Sequence, residues 1–186
     1  MPSTPKANRG PSAGPENRRA LIAAAREVFA ESGFAAPLSA IARRAGVGQG
    51  SLYRHFPDRL SLAVAVFDDN IAELEVLVAD DDATVSTLFD ALTEQALAST
   101  ALVEVMTTHR HDPLAEPLRT RATAIVEVLL VRDQAAGRIA DHVETEDVLL
   151  AIAMLAVLLS RTDERDRPDV ATRGRRLFRA AFALPG

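Results

Sequence analysis

The chain has 186 residues, 48% hydrophobic and 25% charged, enough to bury a core in one compact unit or two small ones and too apolar for a disordered protein. It has no cysteine, which excludes a disulfide scaffold, a thiolate metal site and a cysteine nucleophile. The net charge of −5 argues by itself against nucleic-acid binding, yet residues 1–59 hold nine Lys or Arg against four acids, a net +5, while the remainder is net −10. A basic head on an acidic body is the split expected when only one end meets phosphates.

Residues 1–15 carry Pro2, Pro5, Pro11 and Pro15 and no apolar periodicity, so they read as a flexible arm, either an inert solvated tail or a segment that touches DNA. Helical spacing begins at Asn17, a possible cap, and places Leu21, Ile22, Ala25, Val28 and Phe29 on one face, with Gly33 as a left-handed stop. A second helix fits Leu38–Ala45, with Pro37 preorganised for a first helical position and Gly46 ending it. After the Gly46-Val47-Gly48 turn, Gln49–His55 makes a third helix, and Pro57 stops its simple continuation.

Leu60, Val64, Phe67, Ile71, Leu74 and Val78 then recur at alternating spacings of four and three, which predicts one unbroken apolar stripe on a helix of about 20 residues and about 30 Å. The acidic run Asp80–Asp82 precedes a helix with the face Val85, Leu88, Phe89, Leu92 and Ala96, and a shorter helix fits 102–109. Beyond Pro113 and Pro117 a longer helix bears Leu118, Ala122, Ile125, Val126, Leu129 and Leu130 and ends by Gly137. Thr145 with Glu146 and Asp147 marks the start of a helix through Val148–Leu159. A polar link, Arg161–Pro168, leads to a last amphipathic helix with Leu177, Phe178, Ala181 and Phe182. The apolar run Val148–Leu159 is too short to span a bilayer and no signal-peptide segment precedes the first helix, so the expectation is a soluble cytoplasmic protein with no membrane partner. The fold class expected is all-α, with no strand and about nine helices.

The informative stretch is Leu38–Phe56, two short helices joined by a tight glycine-containing turn, the layout of a helix-turn-helix. Ala42 and Ala45 permit a close crossing, Gly46 takes the turn, and Ile41, Val47, Leu52 and Phe56 form a small core. Gln49, Ser51, Tyr53 and Arg54 are then left to face outward.

With "RALIAAAREVFAESGF" and "IARRAGVGQGSLYRHFPDR" in this order and spacing, residues 17–60 resemble the TetR family of bacterial repressors; beyond Asp80 only the general layout is similar. The resemblance implies a homodimer of nine-helix chains, with a DNA-binding domain at 16–59 and a ligand-binding and dimerisation domain at 60–186. It implies that Gln49–His55, Gly50 included, lies in the major groove of a pseudo-palindromic operator on double-stranded DNA. Gln49, Ser51 and Arg54 are the candidates for base edges, because Gln pairs bidentately with adenine and Arg with guanine. Tyr53, His55 and Arg59 match family positions that hold phosphates. Arg18, Arg43 and Arg44 are weaker phosphate candidates whose alternative is an ordinary solvated charge. The family often has a phosphate-contacting Thr where this chain has Pro37, and Ser39 is the possible substitute.

By the same resemblance Phe67, Ile71, Phe89, Leu92, Leu102, Met106, Ile125 and Leu129 lie on helices that enclose a pocket for an unidentified, hydrophobic small-molecule effector. Ordinary core packing is the alternative for each of them. The last two helices are expected to form the dimer interface through Leu150, Met154, Val157, Leu158, Leu177, Phe178, Ala181 and Phe182. Other chemistry finds no support. None of His55, His109, His111 and His142 follows a Glu by three residues, and there is no phosphate-binding glycine loop or nucleophile elbow, so no enzyme, metal or cofactor is expected. Rival readings are a sequence-nonspecific architectural DNA-binding protein and a helical interaction protein that has lost DNA binding.

Overall fold

Apolar residues recurring every three or four positions give the first helix (α1, Ala13–Ser32) one buried face of Leu21, Ile22, Ala24, Ala25, Val28 and Phe29. The structure is a computed structural model that describes residues 13–98, 108–109 and 112–183. Helix α1 starts before Asn17, which therefore lies inside it rather than capping it. Pro15 occupies the first turn, where the missing amide has no intrahelical acceptor to lose, and Glu16 complements the positive helix end. Of the arm expected over 1–15, Ala13, Gly14 and Pro15 are thus helical, and residues 1–12 lie outside the described residues. Gly33 ends α1 with φ +74°, as its position predicts.

Helix α2 (Leu38–Arg44) has Pro37 as its N-cap rather than its first helical residue, and ends on Ala45 and Gly46. Gly46, at φ +65°, donates to the Arg43 carbonyl (3.2 Å) and Val47 to that of Ala42 (3.0 Å), the paired bonds of a Schellman stop. That stop redirects the chain within three residues into α3 (Gln49–His55), where the Gly48 carbonyl accepts from Ser51 and Leu52. Asp58 then caps α4 (Arg59–Val78): its carboxylate accepts from the Ser61 amide at 2.7 Å while the Ser61 hydroxyl faces the Asp58 backbone.

The single stripe expected along α4 is only part of its packing. Leu62, Ala63 and Val66, outside that stripe, are buried against the head, whereas Leu60, Val64, Ile71 and Val78 are partly buried. The helix is surrounded by protein along its first half because it serves as the central post of the head. Farther along, only one face is covered.

Five further elements complete the body: α5 (Val85–Ala98), a 3₁₀ turn at Pro113–Ala115, α6 (Glu116–Ala135), α7 (Thr145–Ser160) and α8 (Arg167–Phe182). The N-cap of α7 is Glu144, in a reciprocal box with Asp147, one residue earlier than the Thr145 expected. The described residues thus form eight α-helices and no strand, an all-α fold; the short helix expected at 102–109 falls almost wholly outside them. None of these helices is long and apolar enough to cross a membrane.

Two apolar clusters result. One joins α1, α2, α3 and the first half of α4 and includes Leu118 of α6; the other joins the end of α4 with α5, α6, α7 and α8, and Ile71 packs on both. Three consecutive residues of α6 tie the body together. The Arg132 guanidinium donates to the Asp80 carbonyl (2.7 Å) just past α4, buried Asp133 accepts from the Val85 amide (2.9 Å) at the start of α5, and Gln134 donates to the Val143 carbonyl (3.0 Å) ahead of α7.

Candidate functional site

Helix α3 is short, and two residues one turn apart anchor it: Leu52 and Phe56 are almost fully buried against the head. This anchoring turns the opposite side outward, so that Gln49, Gly50, Tyr53 and Arg54 form one exposed face, with Ser51 and His55 half-buried beside it. Tyr53 keeps 54% of its surface exposed, unusual for a large aromatic side chain in so small a unit. Arg54 folds back to donate from Nε to the Gly50 carbonyl at 3.3 Å, a bond within its own helix that does not use its terminal nitrogens. A glycine at position 50 keeps this face low and lets another molecule approach the helix closely.

The other cations fall into two groups. Arg43 and Ser39 are exposed on α2. Arg44, by contrast, makes a bidentate pair with Glu31 (2.7 Å for both bonds) and a third bond to Glu27 (3.1 Å), clipping α2 to α1. These bonds hold the Glu31 carboxyl below the usual range and raise the Arg44 guanidinium still further. Arg59 is half-buried: it donates to the Phe34 carbonyl and lies over the Phe34 ring, 5.6 Å from its centroid. Arg18 sits similarly over Phe56 at 5.4 Å. Of the cations singled out in the sequence, Arg43 is exposed on α2 and Arg54 bonds only within its own helix among the described residues, whereas Arg18, Arg44 and Arg59 brace the head. The signals for this bracing were present in the sequence as Glu27, Glu31 and Phe34, but spacing alone does not say which partner a long side chain selects.

A cavity of about 250 Å³ lies in the body. Phe67, Ile71, Phe89, Leu92 and Ile125 line it; Leu129 is instead fully buried in the core beside it, and Leu102 and Met106 lie outside the described residues. Leu149, Ile152 and Ala156 of α7 supply a further wall, which the pocket residues expected from the sequence do not include. Polar groups on the lining are Asn70, Thr93 and Gln95. Thr93 is already bonded, its hydroxyl donating to the Phe89 carbonyl at 2.6 Å. Two lining residues, Phe67 and Leu118, also belong to the apolar cluster of the head.

The last two helices carry an uncovered apolar strip. Leu150, Met154 and Leu158 recur every four residues on α7 and are each more than half exposed, as is Leu177 on α8, with Ala181 exposed one turn on. Val157 is partly buried. Phe178 and Phe182 turn inward and stack around Phe89, with ring centroids 5.6 Å and 6.3 Å from it.

Residues 21–66 match the family model described as bacterial regulatory proteins, tetR family. Over 60 residues the chain is 43% identical to the HTH-type transcriptional activator FasR of Mycolicibacterium smegmatis; the match covers 32% of this chain and 27% of that protein, so the chain matches about a quarter of the relative's length. The whole fold is similar to that of a TetR transcriptional regulator from Streptomyces coelicolor (27% identity, 91% of this chain and 99% of that one, TM-score 0.65). It is also similar to GusR of Salmonella enterica (25% identity, 94% and 98% covered, TM-score 0.57). Residues 21–66 thus carry a helix-turn-helix that matches the tetR family of bacterial regulatory proteins, on a body whose fold is similar to that of TetR regulators.

Proposed function

We propose that the protein is a DNA-binding transcriptional regulator that works in the cytoplasm as a homodimer on a pseudo-palindromic operator and responds to a small apolar effector. The observation that carries the reading is the exposed Gln49, Gly50, Tyr53 and Arg54 face of α3, held outward by buried Leu52 and Phe56. In this reading Gln49, Ser51 and Arg54 address base edges, and Tyr53, His55, Arg43 and Ser39 address phosphates. Arg18, Arg44 and Arg59 act mainly by holding α1, α2 and the Phe34 loop in register. A second copy covers Leu150, Met154, Leu158 and Leu177, since a two-fold axis would bring two such strips together.

The effector is proposed to occupy the α4–α7 cavity, whose wall reaches the head through Phe67 and Leu118. Filling that cavity would shift side chains on which the seating of the head depends, so operator and effector would weaken each other's binding by the same factor. The family resemblance implies repression; the FasR name favours activation for one relative, and a reporter gene behind the selected operator decides the sign.

The test is selection of bound sequences from random duplex DNA with the full chain, expected to return an inverted repeat. Arg54→Ala should relax preference at one position of each half-site, by about 1–3 kcal/mol for a bidentate contact. Tyr53→Phe should instead weaken binding at all sequences alike. An unchanged motif with Arg54→Ala would remove Arg54 from base reading, and recovery of random sequence would favour the architectural alternative.

A further inference from the structure

A second cavity, of about 160 Å³, opens where the start of α5, the α6–α7 link and α8 meet. Its floor is aromatic: Phe89, Phe178 and Phe182 line it, with the rings of Phe178 and Phe182 stacked at 6.4 Å. Its rim is cationic, made by Arg138 from the α6–α7 link and by Arg175 and Arg179 from α8. These arginines outnumber the carboxylates that hold them. Arg175 and Arg179 share the single carboxylate of Asp90, at 3.0 Å and 2.9 Å. Arg138 pairs with Asp133 at 2.8 Å, but the other oxygen of Asp133 already accepts from the Val85 amide. Three guanidinium groups thus face two carboxylates, one of them divided between an arginine and a helix end, which leaves a surplus positive charge beside an apolar floor.

Each guanidinium carries five N–H donors in a planar fork, and the pairs described engage only one or two of them. Arg175, Phe178, Arg179 and Phe182 lie on one face of α8, which Leu177 and Ala181 do not share, so contact through the apolar strip would leave this cavity open. From this geometry we propose that the cavity is a second ligand site, for a small aromatic monocarboxylate. The carboxylate takes the surplus guanidinium donors, and the ring lies on the phenylalanine floor. The volume admits one substituted ring and not a long chain, and Asp133 on the lining disfavours a second negative charge on the ligand. The site is separate from the α4–α7 cavity, although Phe89 borders both.

The test is a titration of 4-fluorobenzoate into the full-length protein, followed by fluorine NMR, with 4-fluorobenzyl alcohol as the neutral probe and inorganic phosphate as an anion without a ring. The acid should bind saturably, and Arg138→Gln and Arg175→Gln should each weaken it about tenfold through loss of a charge-assisted hydrogen bond, leaving the alcohol's binding unchanged. Should Arg175→Gln fail to fold because Asp90 loses a partner, Arg138→Gln, half-exposed on the rim, carries the test. Absence of saturable binding, or acid binding indifferent to Arg138→Gln, would overturn the proposal. Displacement of the acid by an equal concentration of phosphate would also overturn it, by showing that the ring contributes nothing.

Discussion

The head and the body of this chain solve packing in opposite ways. The head wedges the short α2 and α3, with small residues and a glycine stop, against α1 and α4, and its core of Leu21, Ile41, Leu52 and Leu62 is essentially solvent-free. The body uses longer helices and leaves a 250 Å³ cavity inside and an apolar strip of Leu150, Met154, Leu158 and Leu177 outside. A rigid head presents α3 at a fixed angle, whereas an incompletely packed body has places for other molecules to add stability.

The most severe way to break the comparison is at the two cores. Leu62→Ala, at a fully buried site on the central post, should cost about 3–5 kcal/mol, and Leu92→Ala, half-buried beside existing free volume, about 1 kcal/mol or less. Urea unfolding of both variants measures the contrast, and equal costs would show that the cavity is filled or collapsed in solution. Next is the outer strip. Leu158→Arg should shift sedimentation to the 19.9 kDa monomer and lower operator affinity by about 100-fold or more, because the two half-sites lose their linkage.

A smaller effect is expected where α6 fastens the body. Asp133→Asn keeps the shape but removes the charge that Val85 and Arg138 share, and should cost about 1–2 kcal/mol. Hydrogen exchange should show the loss as faster exchange at the first turn of α5, with the amides of α3 unaffected.

The smallest effect concerns pH. Arg44 holds Glu31 in the head, and Arg121 holds Glu75 across α4 and α6, each carboxyl kept below its usual range chiefly by the arginine's hydrogen bond. Because the folded state lowers these values, each pair stabilises fully above the unfolded carboxylate pKa, about 4.3, and loses its contribution as pH falls through the lower folded value. Glu31→Gln should therefore lower Tm slightly at pH 7 and leave it unchanged once the pH is well below 4. Both groups are solvent-exposed, so the differences are small, and 1 M salt should shrink them further.

Legibility in the sequence followed the range of the interactions. Gly33, Gly46 and Gly137 each take the positive φ that their positions predict, because a helix stop is a local event. Local too is the inward placement of Leu52 and of Phe56, the residue that caps α3, on a helix too short to have any other buried face. The capping pairs Asp58 with Ser61 and Glu144 with Asp147 are equally local, although the sequence expectation places the second start at Thr145 and does not name the first.

What the sequence by itself determined, then, is the all-α architecture, the helix-turn-helix and its outward residues, since each depends on a few neighbouring positions. Tertiary structure alone decided how α7 is shared. Its twelve apolar residues have no polar face to orient the helix, so only packing against α5, α6 and α8 sets Leu155 and Leu159 inward, Ile152 at the cavity and Met154 outward. It also decided that Arg44 and Arg59 brace the head, that Phe178 and Phe182 close on Phe89, and that a cationic rim gathers above them. Those outcomes join residues tens of positions apart, and the approach of one helix to another, which periodicity does not encode, selects them.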